Sequence, residues 1–382
     1  MRHWTNIRKK SRCQLGLAVL VIISLSALLM SAGCTGTTPQ EASGETEFIT
    51  ITDSLNREVT VPASPEKVVC SGPGCLRYLT YLGAQDKIVG VDDIETKETI
   101  FSARPYFIAN PQFKDYPLIG EFRGNDDPEK IVAAGPDVIF KTYVESADDA
   151  DELSTKTGVP VVCLNYGDLT TYRDDAYQSL RIMGTVMGKE DRAEDVISYL
   201  NGIIGDLNDR TAGISDAEKT TAFIGGIAYR GPHGFQSTEP TYPPFVFVNA
   251  ANVAGDMGTA HADVAKEKIV EWNPQVLFVD LSTLQTAPNA ISELSDDPSY
   301  QQLDAVSSGE VYGMLPYNWY SQNHGSIMAD AYYIGTVLYP EQFSDIDPAT
   351  KADEIYTFLV GEPVFEEMSS SFSDLPFTQL EI

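Results

Sequence analysis

The apolar positions of this chain change period several times, and the changes mark out its parts. An uncharged apolar run from Leu15 to Met30 follows a short segment that carries Arg2, Arg8, Lys9, Lys10 and Arg12 and no acid. That is the layout of a secretory leader, and the run is shorter than the ~20 residues an apolar helix needs to span a bilayer. It ends in Ser31-Ala32-Gly33 directly before Cys34, so residues 1–33 read as a signal that is cut. An uncleaved single-span anchor is the other reading, and both place the rest of the chain outside the membrane. From Thr35 to Glu47 the chain is Thr, Gly, Ser, Pro and Glu with no apolar run. Such a segment cannot offset the entropy lost on folding, so 34–47 is expected to be a flexible linker.

Beyond it, Phe48–Thr52 and Arg57–Pro62 alternate around Asp53-Ser-Leu-Asn56, which predicts a hairpin. The rhythm then becomes strand, helix, strand. Strands are predicted at Lys67–Ser71, Lys87–Asp92, Asp137–Phe140, Val159–Asn165 and Thr220–Ala228, and helices at Cys75–Leu82, Asp127–Ala134, Ala147–Thr157, Tyr172–Met187 and Ser326–Leu338. Strands that alternate with helices imply parallel sheets. Between the two halves Lys189–Asp209 is helical, with Ala193, Val196, Ile197, Leu200, Ile203, Ile204 and Leu207 on one face. A helix of ~20 residues is about 30 Å long, enough to cross from one domain to another. The fold class is therefore α/β, two lobes joined by one long helix: an N-terminal lobe over 48–187, a connecting helix over 188–212 and a C-terminal lobe over 213–382. About 335 residues after the linker is more than one core usually serves.

A repeat separated by 138 positions supports the same division. Glu129-Lys-Ile-Val-Ala-Ala-Gly-Pro-Asp-Val-Ile-Phe140 recurs as Glu267-Lys-Ile-Val-Glu-Trp-Asn-Pro-Gln-Val-Leu-Phe278, identical at seven places. Each copy reads as a helix stopped near a proline and followed by a strand. Duplication of one α/β unit accounts for it.

Charge and chemistry narrow the function. The chain holds 55 acidic and 26 basic residues, a net charge of −29, and loss of the leader removes five cations and no anion. That surface repels nucleic acid and anionic headgroups. Outside the leader and Cys34, the cysteines are Cys70, Cys75 and Cys163. Cys70 and Cys75 could pair in an oxidising compartment or stay buried thiols, and Cys163, inside a predicted strand, is expected in the core. There is no Gly-x-Ser-x-Gly elbow, Walker loop or His-Glu-x-x-His motif, and Gly72-Pro-Gly74 completes no dinucleotide fingerprint, so no enzyme activity is predicted. Only His233, His261 and His324 follow the leader, too few and too scattered to predict a site for a bare metal ion.

Several segments together resemble the substrate-binding proteins of ABC importers for iron-siderophore, haem and cobalamin: Val68-Val-Cys-Ser71 before a helix, Leu82-Gly-Ala-Gln-Asp-Lys-Ile-Val-Gly-Val91, both repeat copies, and Val186-Met-Gly-Lys-Glu-Asp-Arg-Ala-Glu-Asp195. Ser31-Ala-Gly-Cys34 is similar to a lipobox, with Ser31 where an aliphatic residue is usual, which implies lipidation at Cys34 and attachment to the outer face of the cell membrane. The resemblance implies two Rossmann-like lobes with central parallel sheets on one rigid helix, and a metal chelate, ferric siderophore first and haem or corrinoid next, held between them without a resident cofactor. The implied partners are a permease dimer and its ATPase, docked through one surface glutamate per lobe, at Glu129 and Glu267. Ligands of open α/β sheets sit beyond the carboxyl ends of the strands. On that rule the candidate ligand contacts are Ser71, Arg123, Tyr143, Tyr166, Tyr229, Arg230, His233, Tyr317 and Trp319. Arginine suits the carboxylates of an anionic chelate, and His233 could instead ligate a metal centre.

Overall fold

Alternation over Phe48–Thr52 (β1) and Glu58–Pro62 (β2) becomes an antiparallel hairpin. The computed structural model describes residues 47–382 apart from 98, 124, 259 and 260; the leader, Cys34 and the linker up to residue 46 lie outside the described residues. In the hairpin turn, buried Asp53 accepts the N–H groups of Leu55 and Arg57, the Arg57 guanidinium and the N–H of Cys163 at 3.1 Å. One carboxylate thus shapes the turn and ties it to the first sheet.

That sheet contains Val68–Ser71 (β3), Ile88–Asp92 (β4), Leu118–Glu121 (β5), Asn125–Asp126 (β6), Val138–Thr142 (β7) and Val161–Leu164 (β8), in the order β6-β5-β4-β3-β7-β8. All neighbours are parallel except β5 and β6. The second sheet contains Thr221–Gly225 (β9), Ala251–Asn252 (β11), Val276–Asp280 (β13) and Val311–Met314 (β14), all parallel, in the order β11-β9-β13-β14. Ser237–Thr238 (β10) and Ala262–Asp263 (β12) form a small antiparallel pair beside it. The order β4-β3-β7-β8 in one lobe matches β11-β9-β13-β14 in the other, so the repeat holds in three dimensions. Its helices, Pro128–Ala134 and Lys266–Trp272, both end on a left-handed residue, Gly135 and Asn273. Asp137 and Gln275, equivalent in the repeat, grip the entry to the first strand of each large sheet: Asp137 accepts from the N–H groups of Glu66 and Lys67 at 3.0 and 2.9 Å, Gln275 from that of Thr221 at 3.0 Å.

The connecting helix runs from Glu190 to Thr211, about 33 Å. All seven predicted apolar positions on it are buried, and it packs on helices Arg173–Met187 and His324–Leu338. Alternate residues of each sheet face different cores. Val68, Val138 and Phe140 of the first sheet share one continuous core with Val276 and Phe278 of the second and with the connecting helix. Val69 and Ile139 face a separate core under the first lobe's outer helices, and Leu277 and Val279 do the same in the second lobe. The inner faces of the two lobes are thus one hydrophobic body.

Boundaries differ from the pattern where backbone geometry intervenes. The strand expected at Thr220–Ala228 stops at Gly225 because Gly226 turns with φ +80°. The strand expected to end at Phe140 continues through Lys141 and Thr142, both buried. Cys70 and Cys75 are buried free thiols with no bridge between them, and Cys163 lies in the core of β8 as its setting predicts.

Candidate functional site

The carboxyl ends of both sheets meet at the chain between β14 and helix His324–Leu338. On the first lobe, β3 ends at Ser71 and turns through Gly72 (φ +89°) and Gly74 (φ +81°). A Cβ on Gly74 would lie 2.1 Å from the Tyr166 ring, so only glycine fits there. The turn delivers helix Cys75–Tyr81, whose Arg77 is fully buried. Its guanidinium donates to the Tyr166 hydroxyl and to three carbonyls of the second lobe's loop, those of Gln322 (2.8 Å), Trp319 (3.1 Å) and Tyr320 (3.2 Å). Those carbonyls can converge because Tyr320 and Ser321 both adopt left-handed conformations, φ 54° and 68°. Tyr166 adds a bond to the Gln322 carbonyl at 2.6 Å, and Tyr143 bonds to Ser321 at 3.1 Å. The Tyr320 hydroxyl donates to Asp92 Oδ2 at 2.7 Å, beside the Gly72 N–H at 2.8 Å. Beyond this knot lies His324, packed among Tyr78, Tyr81 and Tyr166 with neither ring nitrogen hydrogen-bonded among the described residues. Burial, then the Arg77 charge, pushes it down to about 3, so it is neutral.

Several carboxyls near the strand ends and the loop between the lobes are held away from their ordinary range. Burial pushes Asp92 up to about 7, with the Tyr320 and Gly72 donors opposing. Glu239, which accepts the Tyr317 hydroxyl, is pushed up to about 8 by burial and by Asp168 and Asp280. Asp280, at the end of β13, is pushed to about 7 by burial, and its Oδ2 has no hydrogen-bond partner among the described residues. A carboxyl whose folded pKa is raised is protonated in both states below the ordinary carboxylate range. The stability it contributes is full there and is lost as pH rises through about 7–8. Unfolding free energy is therefore expected to fall between pH 5 and pH 8. Asp280→Asn should remove about 2–4 kcal/mol of that fall, as seen by urea denaturation at both pH values. An unchanged pH slope in the variant would contradict the assignment.

The candidate contacts separate into two groups. Ser71 is buried and donates to Asp126 at 2.5 Å, while Lys141 bridges the two at 3.2 and 2.5 Å. Tyr166 stacks on Tyr78 at 4.7 Å and serves the Arg77 knot, and Tyr317 is spent on Glu239. These three side chains build the floor and the joint between lobes. Tyr143 and Tyr229 are 58% and 44% exposed, and Arg123 and Arg230 are exposed with them. Arg123 stacks on Phe122 (5.2 Å), whose ring meets Tyr320 edge-on, and Arg230 stacks on Tyr229 (5.4 Å). Asn318 bonds to the Ala228 carbonyl at 2.8 Å, so the Tyr229–Arg230 turn adjoins the same loop from the second lobe. Trp319 is half-buried, its ring edge-on to Phe372. His233 bonds through Nε2 to the Tyr229 carbonyl at 2.8 Å, and Tyr229 stacks flat on His261, 4.4 Å and 6°. Arg77, Asp92, Phe122 and Glu239 are not singled out by the sequence pattern. The one signal for Arg77 is a lone cation inside the apolar helix Cys75–Tyr81.

Two α/β lobes share one helix, and their strand ends face a common loop rimmed by aromatics and arginines, the architecture of a two-lobed binding protein. The chain belongs to the periplasmic binding protein family, whose model matches residues 68–317. It is similar to an uncharacterized ABC transporter substrate-binding lipoprotein, YvrC, of Bacillus subtilis, 22% identical over 84% of this chain and 96% of that one. It is also similar to the molybdate-binding protein MolA of Haemophilus influenzae, 23% identical over 80% of this chain and 89% of MolA. The structure of MolA bound to molybdate superposes with a TM-score of 0.64 at 20% identity, over 82% of this chain and 98% of MolA. The petrobactin-binding protein YclQ of B. subtilis gives a TM-score of 0.52 at 19% identity, over 82% and 99%. The chain is thus an extracytoplasmic substrate-binding component of an ABC transporter. Among the described residues no helix is long and apolar enough to cross a membrane.

Proposed function

We propose that this chain, anchored by a lipid on Cys34, captures an iron(III) chelate of siderophore type between its lobes and delivers it to a permease dimer driven by an ATPase. One observation carries the choice of ligand: each lobe offers an exposed arginine laid on an aromatic ring beside the shared loop, Arg123 on Phe122 and Arg230 on Tyr229. A guanidinium flanked by aromatic faces suits a flat, anionic chelate better than a small ion, since the rings contribute contact area and the fork binds paired oxygens. The likeness in fold to a petrobactin-binding protein supports the same reading. Docking rests on Glu129 and Glu267, both exposed in the first turn of equivalent helices, one per lobe. Their pairing suits two basic pockets related by the two-fold axis of a permease.

Similarity to MolA makes a tetrahedral oxyanion the second ligand to test, and haem and corrinoid follow from the scaffold. Trp319, on the shared loop, is a natural fluorescence reporter. Titration of the purified protein with a ferric siderophore, haem, cobalamin and molybdate is expected to give a response to the ferric chelate. Arg123→Ala and Arg230→Ala should each weaken it by about tenfold or more, the worth of a hydrogen bond to a charged group. A response to molybdate alone would replace the chelate reading, and silence toward all four would end it.

A further inference from the structure

Tyr320 reaches out of its own lobe. Its backbone belongs to the second lobe's loop, yet its hydroxyl donates to Asp92 Oδ2 at 2.7 Å and lies 3.4 Å from the Phe122 carbonyl. Its ring meets the Phe122 ring edge-on at 5.3 Å. Asp92 closes β4, and Phe122 follows β5, the parallel neighbour of β4. The phenol therefore occupies the carboxyl ends of two adjacent strands, the place where open α/β sheets hold their ligands.

Three features of the contact belong to a binding site rather than to packing. Asp92 is 4% exposed and the Gly72 N–H fixes its Oδ2 at 2.8 Å, while Oδ1 has no hydrogen-bond partner among the described residues. One phenol thus uses half of what the carboxyl offers, and a ring with two neighbouring oxygens would use both. Burial pushes Asp92 up to about 7, so the group can accept from a hydroxyl or donate to a ring oxygen that has lost its proton. Lys97 and Arg123 lie over the Phe122 ring at 5.5 and 5.2 Å and bring positive charge to the same spot. The Tyr320 backbone, finally, is left-handed at φ 54°, a conformation that costs any residue but glycine and persists only where its surroundings impose it.

We propose that Tyr320 is a built-in competitor: its phenol fills a subsite for a hydroxylated aromatic ring between Asp92 and Phe122, and cargo enters that subsite only by displacing it. The exchange replaces one hydrogen-bonded ring by another and makes or breaks no covalent bond. Resting on the chelate reading, the competitor sets an affinity that cargo must exceed, and it favours cargo whose ring outdoes a single phenol over cargo without rings.

Tyr320→Gly empties the subsite without straining the fold, since φ 54° suits glycine. Calorimetric titration of this variant with metal-free catechol, phenol and toluene is expected to show binding that weakens in that order. Toluene should bind about tenfold or more weakly than phenol, the worth of a hydrogen bond to a charged group, and wild type should bind catechol about tenfold or more weakly than the variant. Tyr320→Phe keeps the ring and loses its bond to Asp92, so it should fall between the two proteins; it serves if the glycine variant lowers the melting temperature. Toluene bound as tightly as catechol would mark a plain apolar hole and overturn the proposal, as would equal catechol affinity in wild type and Tyr320→Gly. Titration of the same samples with iron(III) 2,3-dihydroxybenzoate reports separately on the chelate reading: catechol bound in the freed subsite without any ferric response sinks that reading and leaves the competitor standing. A ferric response with catechol affinity unchanged by either substitution sinks the competitor alone.

Discussion

Lysine at both Glu129 and Glu267 is expected to abolish uptake in cells while leaving ligand affinity and folding unchanged. Both side chains are exposed, and surface substitutions away from networks usually move stability by no more than about 0.5 kcal/mol. A docked carboxylate is another matter. Losing one partner of a buried interfacial charge pair costs about 2–5 kcal/mol, and reversal adds repulsion against the pocket. Each single reversal should therefore weaken association with the permease by about thirtyfold or more. The competing role for these acids is local, since a carboxylate in a first helical turn favours the dipole by about 0.3–1 kcal/mol. Glu→Gln variants separate the two. A small fall in melting temperature with normal transport would leave only the helix dipole as their purpose.

Arg77→Ala is expected to destabilise the protein by about 3–5 kcal/mol and to loosen the joint between lobes. The substitution takes the guanidinium from the carbonyls of Trp319, Tyr320 and Gln322; Gln322 keeps the Tyr166 hydroxyl and Trp319 the Asn323 amide, so the Tyr320 carbonyl loses its donor at about 1–3 kcal/mol, and the cavity left in place of the buried side chain costs about 2 kcal/mol or more besides. It also releases two non-glycine residues held left-handed, Tyr320 and Ser321, at about 1–2 kcal/mol each in standing strain. That release offsets part of the loss, and the Tyr320–Asp92, Tyr143–Ser321 and Tyr166–Gln322 bonds still oppose it. Arg77→Lys should behave nearly as badly, because an ammonium is a point donor and cannot spread across three carbonyls as a planar fork does. Urea denaturation gives the energy, and hydrogen exchange at residues 317–323 gives the location. A loss below about 1 kcal/mol with unchanged exchange in that loop would show that the carbonyls are satisfied by other means.

Much of the scaffold is legible in the sequence because its signals are local. Seven of the eight buried positions of helix Glu190–Thr211 follow from its period alone, and the duplicated segment fixes two helices and two strands at once. The cleft is less legible. Polar and aromatic residues after a strand predict ligand contacts, yet Ser71, Tyr166 and Tyr317 turn inward because Lys141, Arg77 and Glu239 are buried against them. Those partners are 70, 89 and 78 positions distant, beyond any pattern of neighbours. The decisive backbone turns at Tyr143, Arg230, Tyr320 and Ser321 are left-handed without being glycine, so composition does not announce them. His261 pairs with His233 only because β12 lies against β10.

The core common to both sheets also sets how the molecule comes apart. Val68 and Phe140 of one lobe and Val276 and Phe278 of the other are buried in the same body, sealed by the connecting helix. Neither lobe can lose its inner face without exposing its neighbour's, at about 1.5–3 kcal/mol for each large side chain. Two units that look like separate domains should thus melt as one, in a single calorimetric transition whose van't Hoff and measured enthalpies agree. Damage to either strand layer becomes a defect of the whole molecule.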